Sequence, residues 1–481
     1  MSELAPAQVP AGGPHREPQD TSWWKQAWFW PTLVAALIRV PLACFADDQW
    51  GDAPIRLDML QRWITTPGLW WSFRRTYQYG PFPTHFAGLL GLCGLSASAA
   101  SRVLVCSAGV VGCALVANLA QRAGGRRSGL AAGLALALSP LHIQASTTYA
   151  SEAIYLAFAL GCLEAVWSRQ PWLLVICAFC ASTTRYDAWL WLPLLAFWWI
   201  RRGEVANRSR DWAVASLLVL GPLSILLANA IDLGDPLAPI HYIDQDHAAL
   251  VAGAQAHYGV LPWRLAMVGY YPTAVISILT PAFGLAMVVG VVHAVRRRSA
   301  ALMPITIGGL VPILYAFRTV ALGSLWPMAR FVAGPVAMLS IGMPALRKST
   351  LALCVTCAVA SDVGLAVLGD GSPGVGLTAA AMSPLSRLPA DLRAGGEALR
   401  AVPGPVALDE VPTYEDVLVA YESGMNRYRL LHPEVGTVPR RIVAILGGAW
   451  DAQLRKTAHA FGHLYRQSGS EGRVSWWDLA E

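Results

Sequence analysis

The chain has 481 residues, 55% of them hydrophobic and only 14% charged, where a soluble domain carries about 25% charged residues. Its net charge of +6 sits in short clusters between apolar runs, with no nucleic-acid motif beside it, so the balance argues for membrane orientation and against a nucleic-acid partner. All nine cysteines lie in apolar stretches, which argues against a secreted disulfide framework.

Residues 1–26 are rich in Pro, Gly and polar residues and read as a disordered cytoplasmic tail. They are long for a cleavable signal peptide, and no small-residue cleavage site is evident. The first candidate span covers residues 27–46 and contains Arg39. A cation there is costly in lipid, so Arg39 is either functional or snorkels to an interface. An acidic, Trp-rich segment follows, DDQWGDAPIRLDMLQRW at 47–63. Within it Ile55, Met59 and Trp63 recur at helical spacing, as in an amphipathic helix lying on a membrane. Residues 84–97 are apolar but short. Treating them as re-entrant puts the basic clusters 122–127, 201–210, 296–298 and 347–348 on one side, as the positive-inside rule prefers.

Further spans are expected at 103–121, 128–146, 151–168, 171–184, 187–200, 212–231, 272–295, 302–320, 327–346 and 350–369. With the first, this makes about eleven helices of an all-α membrane bundle over residues 27–369, with an outer loop at 47–83. Residues 370–481 change character. PVALDEV and RIVAILGG read as strands and TYEDVLVAYESG as a helix, a small α/β domain. The N-terminus is then cytoplasmic and the C-terminus extracytoplasmic. No internal repeat is evident, which counts mildly against transporters built from duplicated halves.

On this topology several chemically capable residues return to the outer side. They are Asp47, Asp48, Asp52 and Arg56, then His85, then His142 and Glu152, then Arg185 and Asp187, then Asp235 and His241, and finally Arg318 and Arg330. Glu152, Arg185 and Arg330 stand at the ends of apolar runs, where a charge needs a partner. Two cations and a carboxylate at one membrane face suit an anionic, lipid-borne ligand, because the planar arginine fork binds two phosphate oxygens at once. The competing reading is that these charges pair among themselves, or that the bundle transports an anionic or lipid-linked substrate.

The order GDAPIR, PFPTH, RAGGRRSGLAAG, SPLHIQASTTYASEAIY, TTRYDAWLWLP and PMARF resembles the GT-C superfamily of membrane glycosyltransferases. It is most similar to bacterial members related to glycosyltransferase family 39, the protein mannosyltransferases and aminoarabinose transferases. The likeness covers roughly residues 28–346; the tail matches no motif. It implies a multi-pass protein of the bacterial inner membrane that moves a sugar from a polyprenyl-phosphate donor to an acceptor, whether protein, lipid or glycan. It implies a catalytic carboxylate at Asp52, with Asp47 and Asp48 as competitors. It also implies binding roles for Arg56, Glu152, Arg185, Tyr186, Asp187 and Arg330. PFPTH departs from the pattern, which leaves the role of His85 open. Some relatives use a divalent metal; if one is held here, Asp52 and Glu152 are its candidate ligands.

Overall fold

A computed structural model describes residues 26–47, 52–65, 80–203, 207–297, 302–323, 328–368, 388–409, 437–446 and 448–480, with a few isolated positions between these stretches. Asp48, the tryptophans at 50, 70 and 71, and most of TYEDVLVAYESG lie outside the described residues.

Helices dominate up to residue 368. They are α1 (Phe29–Phe45), α2 (Ala53–Thr65), α3 (Phe82–Leu92), α4 (Ala97–Gly124), α5 (Arg126–Ala137), α6 (Pro140–Ala145), α7 (Ser151–Ser168), α8 (Pro171–Thr184) and α9 (Leu192–Arg201). There follow α10 (Arg208–Leu217), α11 (Leu220–Leu233), α12 (Ala238–Tyr258), α13 (Val260–Ser277), α14 (Pro281–Arg296), α15 (Met303–Leu322), α16 (Arg330–Leu339) and α17 (Lys348–Leu368). The packing follows membrane logic. Helix α1 buries Pro31, Ala35, Arg39 and Ala43 at a four-residue interval, while Leu33, Leu37, Val40 and Phe45 face outward. Helix α4 buries Ala100, Ala108, Gly109, Gly112, Ala117 and Ala120. Small residues let helices α1, α4, α5 and α7 approach closely where lipid offers no hydrophobic drive. The basic turn between α4 and α5 is made by Gly125, at φ +84°, a conformation costly for any other residue.

Among the described residues, four helices are long and apolar enough to cross a membrane: Ala97–Gly124, Arg208–Leu233, Met303–Leu322 and Lys348–Val367. A bent pair makes a fifth candidate. The difference from the expected eleven lies partly in helices that are short, such as Phe29–Phe45, Pro171–Thr184 and Arg330–Gly342, and partly in breaks. The span expected at 272–295 is divided between α13 and α14, which meet at 97°. Thr280 sits at φ +67° there, and Pro281 opens α14 without an N–H to continue the previous helix. The span expected at 128–146 ends at Ala137 and resumes at Pro140. These two breaks meet, since the Ser139 hydroxyl donates to the Ile278 carbonyl at 2.6 Å. The span expected at 187–200 opens as a 3-10 turn, Tyr186–Leu190, before the ten-residue α9. Conversely, residues 232–271, which lie between two expected spans, are largely helical, forming α12 and the start of α13.

Arg39 neither snorkels nor enters the site described below. It is fully buried, donating to the Ala137 carbonyl at 2.9 Å and the Leu136 carbonyl at 3.3 Å, where α5 ends. Its remaining groups reach Ser146 Oγ at 2.8 Å and His142 Nδ1 at 2.7 Å. A cation at a helix C-terminus is well placed for the dipole and for the carbonyls left by the break.

Helix α2 turns one face into the protein. It buries Ala53, Arg56, Leu57, Leu60 and Trp63 and packs on α3 and α4. The buried face is therefore the Leu57–Leu60 face; Ile55 and Met59 are only partly covered.

Beyond residue 388 a five-stranded sheet forms from β1 (Val406–Leu408), β2 (Arg441–Ile445), β3 (His459–Ala460), β4 (His463–Glu471) and β5 (Val474–Leu479), in the order β1-β2-β5-β4-β3. Only β1 and β2 run parallel. Leu392, Leu399, Val443 and Ile445 pack on one face, and Ile442, Ala444, Leu454 and Tyr465 on the other. The run RIVAI is buried on both faces for that reason.

Candidate active site

Two ion pairs organise the site. Asp52 precedes α2, and its carbonyl accepts the Arg56 N–H at 3.0 Å, the first bond of that helix. Arg330 is the first residue of α16. Its NH1 lies 3.0 Å from Asp52 Oδ2 and its NH2 3.4 Å from Oδ1, so the guanidinium meets both carboxylate oxygens across 278 positions of sequence. Burial alone would push the Asp52 carboxyl up. Arg330, with Arg56 and Arg185 behind it, more than offsets this, and the carboxyl is held below its ordinary value.

The second pair centres on Arg185, in extended backbone between α8 and the following 3-10 turn. Its NH1 donates to Glu152 Oε1 at 2.6 Å, and its Nε to Asp187 at 3.0 and 3.3 Å. Burial would lower its proton affinity, but Asp187 and Glu152 together raise it. Glu152 is buried in the first turn of α7, where the helix dipole favours a carboxylate. One turn on, the Tyr155 ring lies 5.9 Å from the Arg185 guanidinium carbon, and its hydroxyl accepts from Trp191 Nε1 at 3.0 Å. Gly334 of α16 closes against the same ring. The contact of Gly334 with Tyr155 packs α16, which bears Arg330, against α7, which bears Glu152, and so brings the two pairs together.

Tyr186 joins them. Burial pushes its hydroxyl up, and Arg56 tempers the rise. Arg56 is itself buried, one turn along α2 from Asp52.

Five of the residues singled out in the sequence are engaged elsewhere. Asp47 Oδ2 accepts the Leu388 N–H at 2.6 Å and Arg393 NH2 at 3.2 Å, so it ties the tail to the end of α1. His85 Nδ1 donates to the Pro81 carbonyl at 2.7 Å, and its ring meets Trp63 edge-on at 5.7 Å, a packing position between α2 and α3. His142 is held by Arg39, and Asp235 pairs with His241 in the open.

His247 is a site residue that the sequence reading passed over. It is buried on α12, its ring 5.8 Å from Phe331. Arg330 lies over the same Phe331 ring at 5.7 Å. Burial and then Arg330 lower the imidazole's proton affinity, with Asp244 and Asp52 opposing. The available signal was its spacing with Val251 and Ala254, which share its buried face. Tyr270 and Tyr271 were also passed over. Both are buried, and their hydroxyls face the backbone of Ala329 and Met328, just before Arg330.

Asp52 and Glu152 are each already bonded to an arginine, and no group of three His, Cys, Asp or Glu side chains converges among the described residues.

By sequence, neither a protein-family model nor a curated protein matches the chain. By structure, it is similar to ArnT from Cupriavidus metallidurans bound to undecaprenyl phosphate. The TM-score is 0.61 at 14% identity, over 94% of this chain and 97% of that one. It is also similar to the apo form of the Archaeoglobus fulgidus oligosaccharyltransferase, with a TM-score of 0.54 at 13% identity, over 85% of this chain and 66% of that one. The chain therefore shares the fold of these two proteins, and among the described residues four helices, or five with the bent pair, are long and apolar enough to cross a membrane.

Proposed function

We propose that this protein is a membrane glycosyltransferase that moves a sugar from a polyprenyl-phosphate donor to a hydroxyl acceptor at the outer face of the bacterial inner membrane. The observation that carries this reading is the two-oxygen pairing of Asp52 with Arg330, beside Arg185 and its two carboxylates. The fold likeness adds to it. The ligand bound to ArnT, undecaprenyl phosphate, is the kind of lipid phosphate that the proposed donor would release.

A polyprenyl phosphate is a good leaving group and needs no acid to depart. What the reaction needs is a carboxylate to take the acceptor's proton and a cation to hold the phosphate as its charge grows. Asp52 serves as the base and Arg330 as the phosphate ligand. The acceptor oxygen attacks the sugar carbon, the bond from that carbon to the phosphate oxygen breaks, and the hydroxyl proton passes to Asp52. This single displacement inverts the sugar carbon, as in the base half of an inverting glycosidase. Arg185, clasped by Glu152 and Asp187, orients those carboxylates and adds positive field at the phosphate. The N-terminus is cytoplasmic, and the sheet domain faces outward.

The test is transfer from a polyprenyl-phosphate sugar in proteoliposomes. Asp52→Asn is expected to slow turnover by roughly 10²–10⁴-fold, the usual contribution of a general base. A variant retaining wild-type turnover would remove Asp52 from the chemistry.

A further inference from the structure

We infer that Arg330 serves two anions in turn: in the donor-free site it clasps Asp52, and on donor binding it passes to the lipid phosphate, so that the base is freed only when a donor is in place. This rests on the proposed roles of Asp52 and Arg330, and it adds an order, donor before acceptor.

Both Asp52 oxygens face the Arg330 fork, at 3.0 and 3.4 Å. An acceptor hydroxyl must donate to one of those oxygens, so the observed pairing, which takes one lone pair of each oxygen and part of its charge, weakens the base that Asp52 would supply. A phosphate offers the same fork the same two-point geometry. A donor can therefore replace the carboxylate without leaving the cation stranded.

The two arginines of the site differ in what holds them. Arg185 is bonded to Asp187, Glu152 and Ser151. Removing it would strand two carboxylates, one of them fully enclosed. Among the described residues, Arg330 has one charged partner at ion-pair distance, Asp52. Its other contacts are Met328 Sδ at 3.3 Å, a weak acceptor, and the Phe331 ring. Arg330 is therefore the exchangeable cation and Arg185 the fixed one.

The exchange also changes the base. Among the described residues, the charged and titratable groups that act on Asp52 include Arg330 on α16, Arg56 on α2, Arg185 after α8 and His247 on α12. Loss of the first, the nearest cation, raises the carboxylate's proton affinity while the others remain. A masked, weakly basic Asp52 thus becomes exposed and more basic in one step. After transfer, the proton on Asp52 is available to the departing lipid phosphate, and Arg330 returns when that phosphate leaves.

The experiment uses the full chain in lipid nanodiscs with undecaprenyl phosphate as the probe. The Asp52 carboxyl is followed by infrared difference titration, wild type against Asp52→Asn, with and without the lipid. Bound probe is expected to move the Asp52 midpoint upward by a pH unit or more, a tenfold change in proton affinity. In Arg330→Gln the midpoint should already be raised without the lipid, and the probe should not move it further; Arg330→Lys, with a single point of contact, should fall between. A wild-type midpoint unmoved by bound probe overturns the exchange, even if Asp52→Asn abolishes transfer and the base assignment survives. A probe that does not bind overturns the phosphate reading of the site, and the exchange with it.

Discussion

Arg39 and Arg330 show how one residue type is assigned two jobs by its neighbours. Arg39 meets backbone carbonyls and a neutral histidine nitrogen, groups that need a donor and have no alternative inside the bundle. Arg330 meets a single partly exposed carboxylate. The first is a structural plug at the end of α5; the second is poised for exchange. Arg39→Leu should leave the Ala137 carbonyl and His142 Nδ1 without partners, at about 1–3 kcal/mol for each stranded group. The expected outcome is a clear drop in melting temperature in detergent, with unchanged turnover per folded molecule. An Arg39→Leu protein that melts like wild type would mean the carbonyls find other donors.

Among elements, the α2–α3 contact matters most for the site, because α2 begins at Asp52. Its sequence periodicity suggested a surface helix, but Arg56 and Trp63 are turned inward, and Gly88 of α3 lies against the Trp63 ring, with no room for a Cβ. Gly88→Ala should push the Trp63 ring aside and cost about 1–3 kcal/mol as overpacking. Since the same push moves the start of α2, turnover should fall together with thermal stability. A loss of stability with turnover intact would uncouple the helix contact from the placement of Asp52.

At the scale of the whole molecule, the tail sheet is joined to the bundle at Asp47, which takes both Leu388 N–H and Arg393. The helix that bears Arg393, Ala390–Arg400, is itself fixed to the sheet by Asp391 and Arg473 at 2.8 Å. Within the sheet, Arg441 and Asp478 pair across β2 and β5. For Asp391, burial is outweighed by Arg473; for Asp478, hydrogen bonds from Arg441 lead. Both carboxyls are held below their ordinary range. A carboxyl depressed in the folded state stabilises it above its unfolded pKa, about 3.9, and that contribution is lost as pH falls below this value toward the folded pKa. Amide exchange in the full chain should therefore show β2 and β5 losing protection between pH 5 and pH 3, and Asp478→Asn should flatten the dependence. Equal protection at both pH values would show that these pairs contribute nothing to the sheet.

Much of the architecture is legible in local chemistry. Apolar runs, basic clusters and the shift in composition near residue 370 report the cost of placing polar groups in lipid, which depends on neighbours in sequence. The acidic segment and the arginines at span ends were visible for the same reason: a charge beside an apolar run calls for a partner. Which partner it finds is a long-range matter. Asp52 meets Arg330 across 278 positions, while Asp47, five residues before Asp52, is drawn to the tail. The breaks at Ser139 and Thr280 answer each other through one hydrogen bond, and His247 reaches the site only because α12 folds over Phe331. Hydropathy is a sum over local transfer costs, so the sequence alone determined a membrane bundle with charged ends. Pairing depends on distances between segments that no local sum contains, and those the tertiary structure decided.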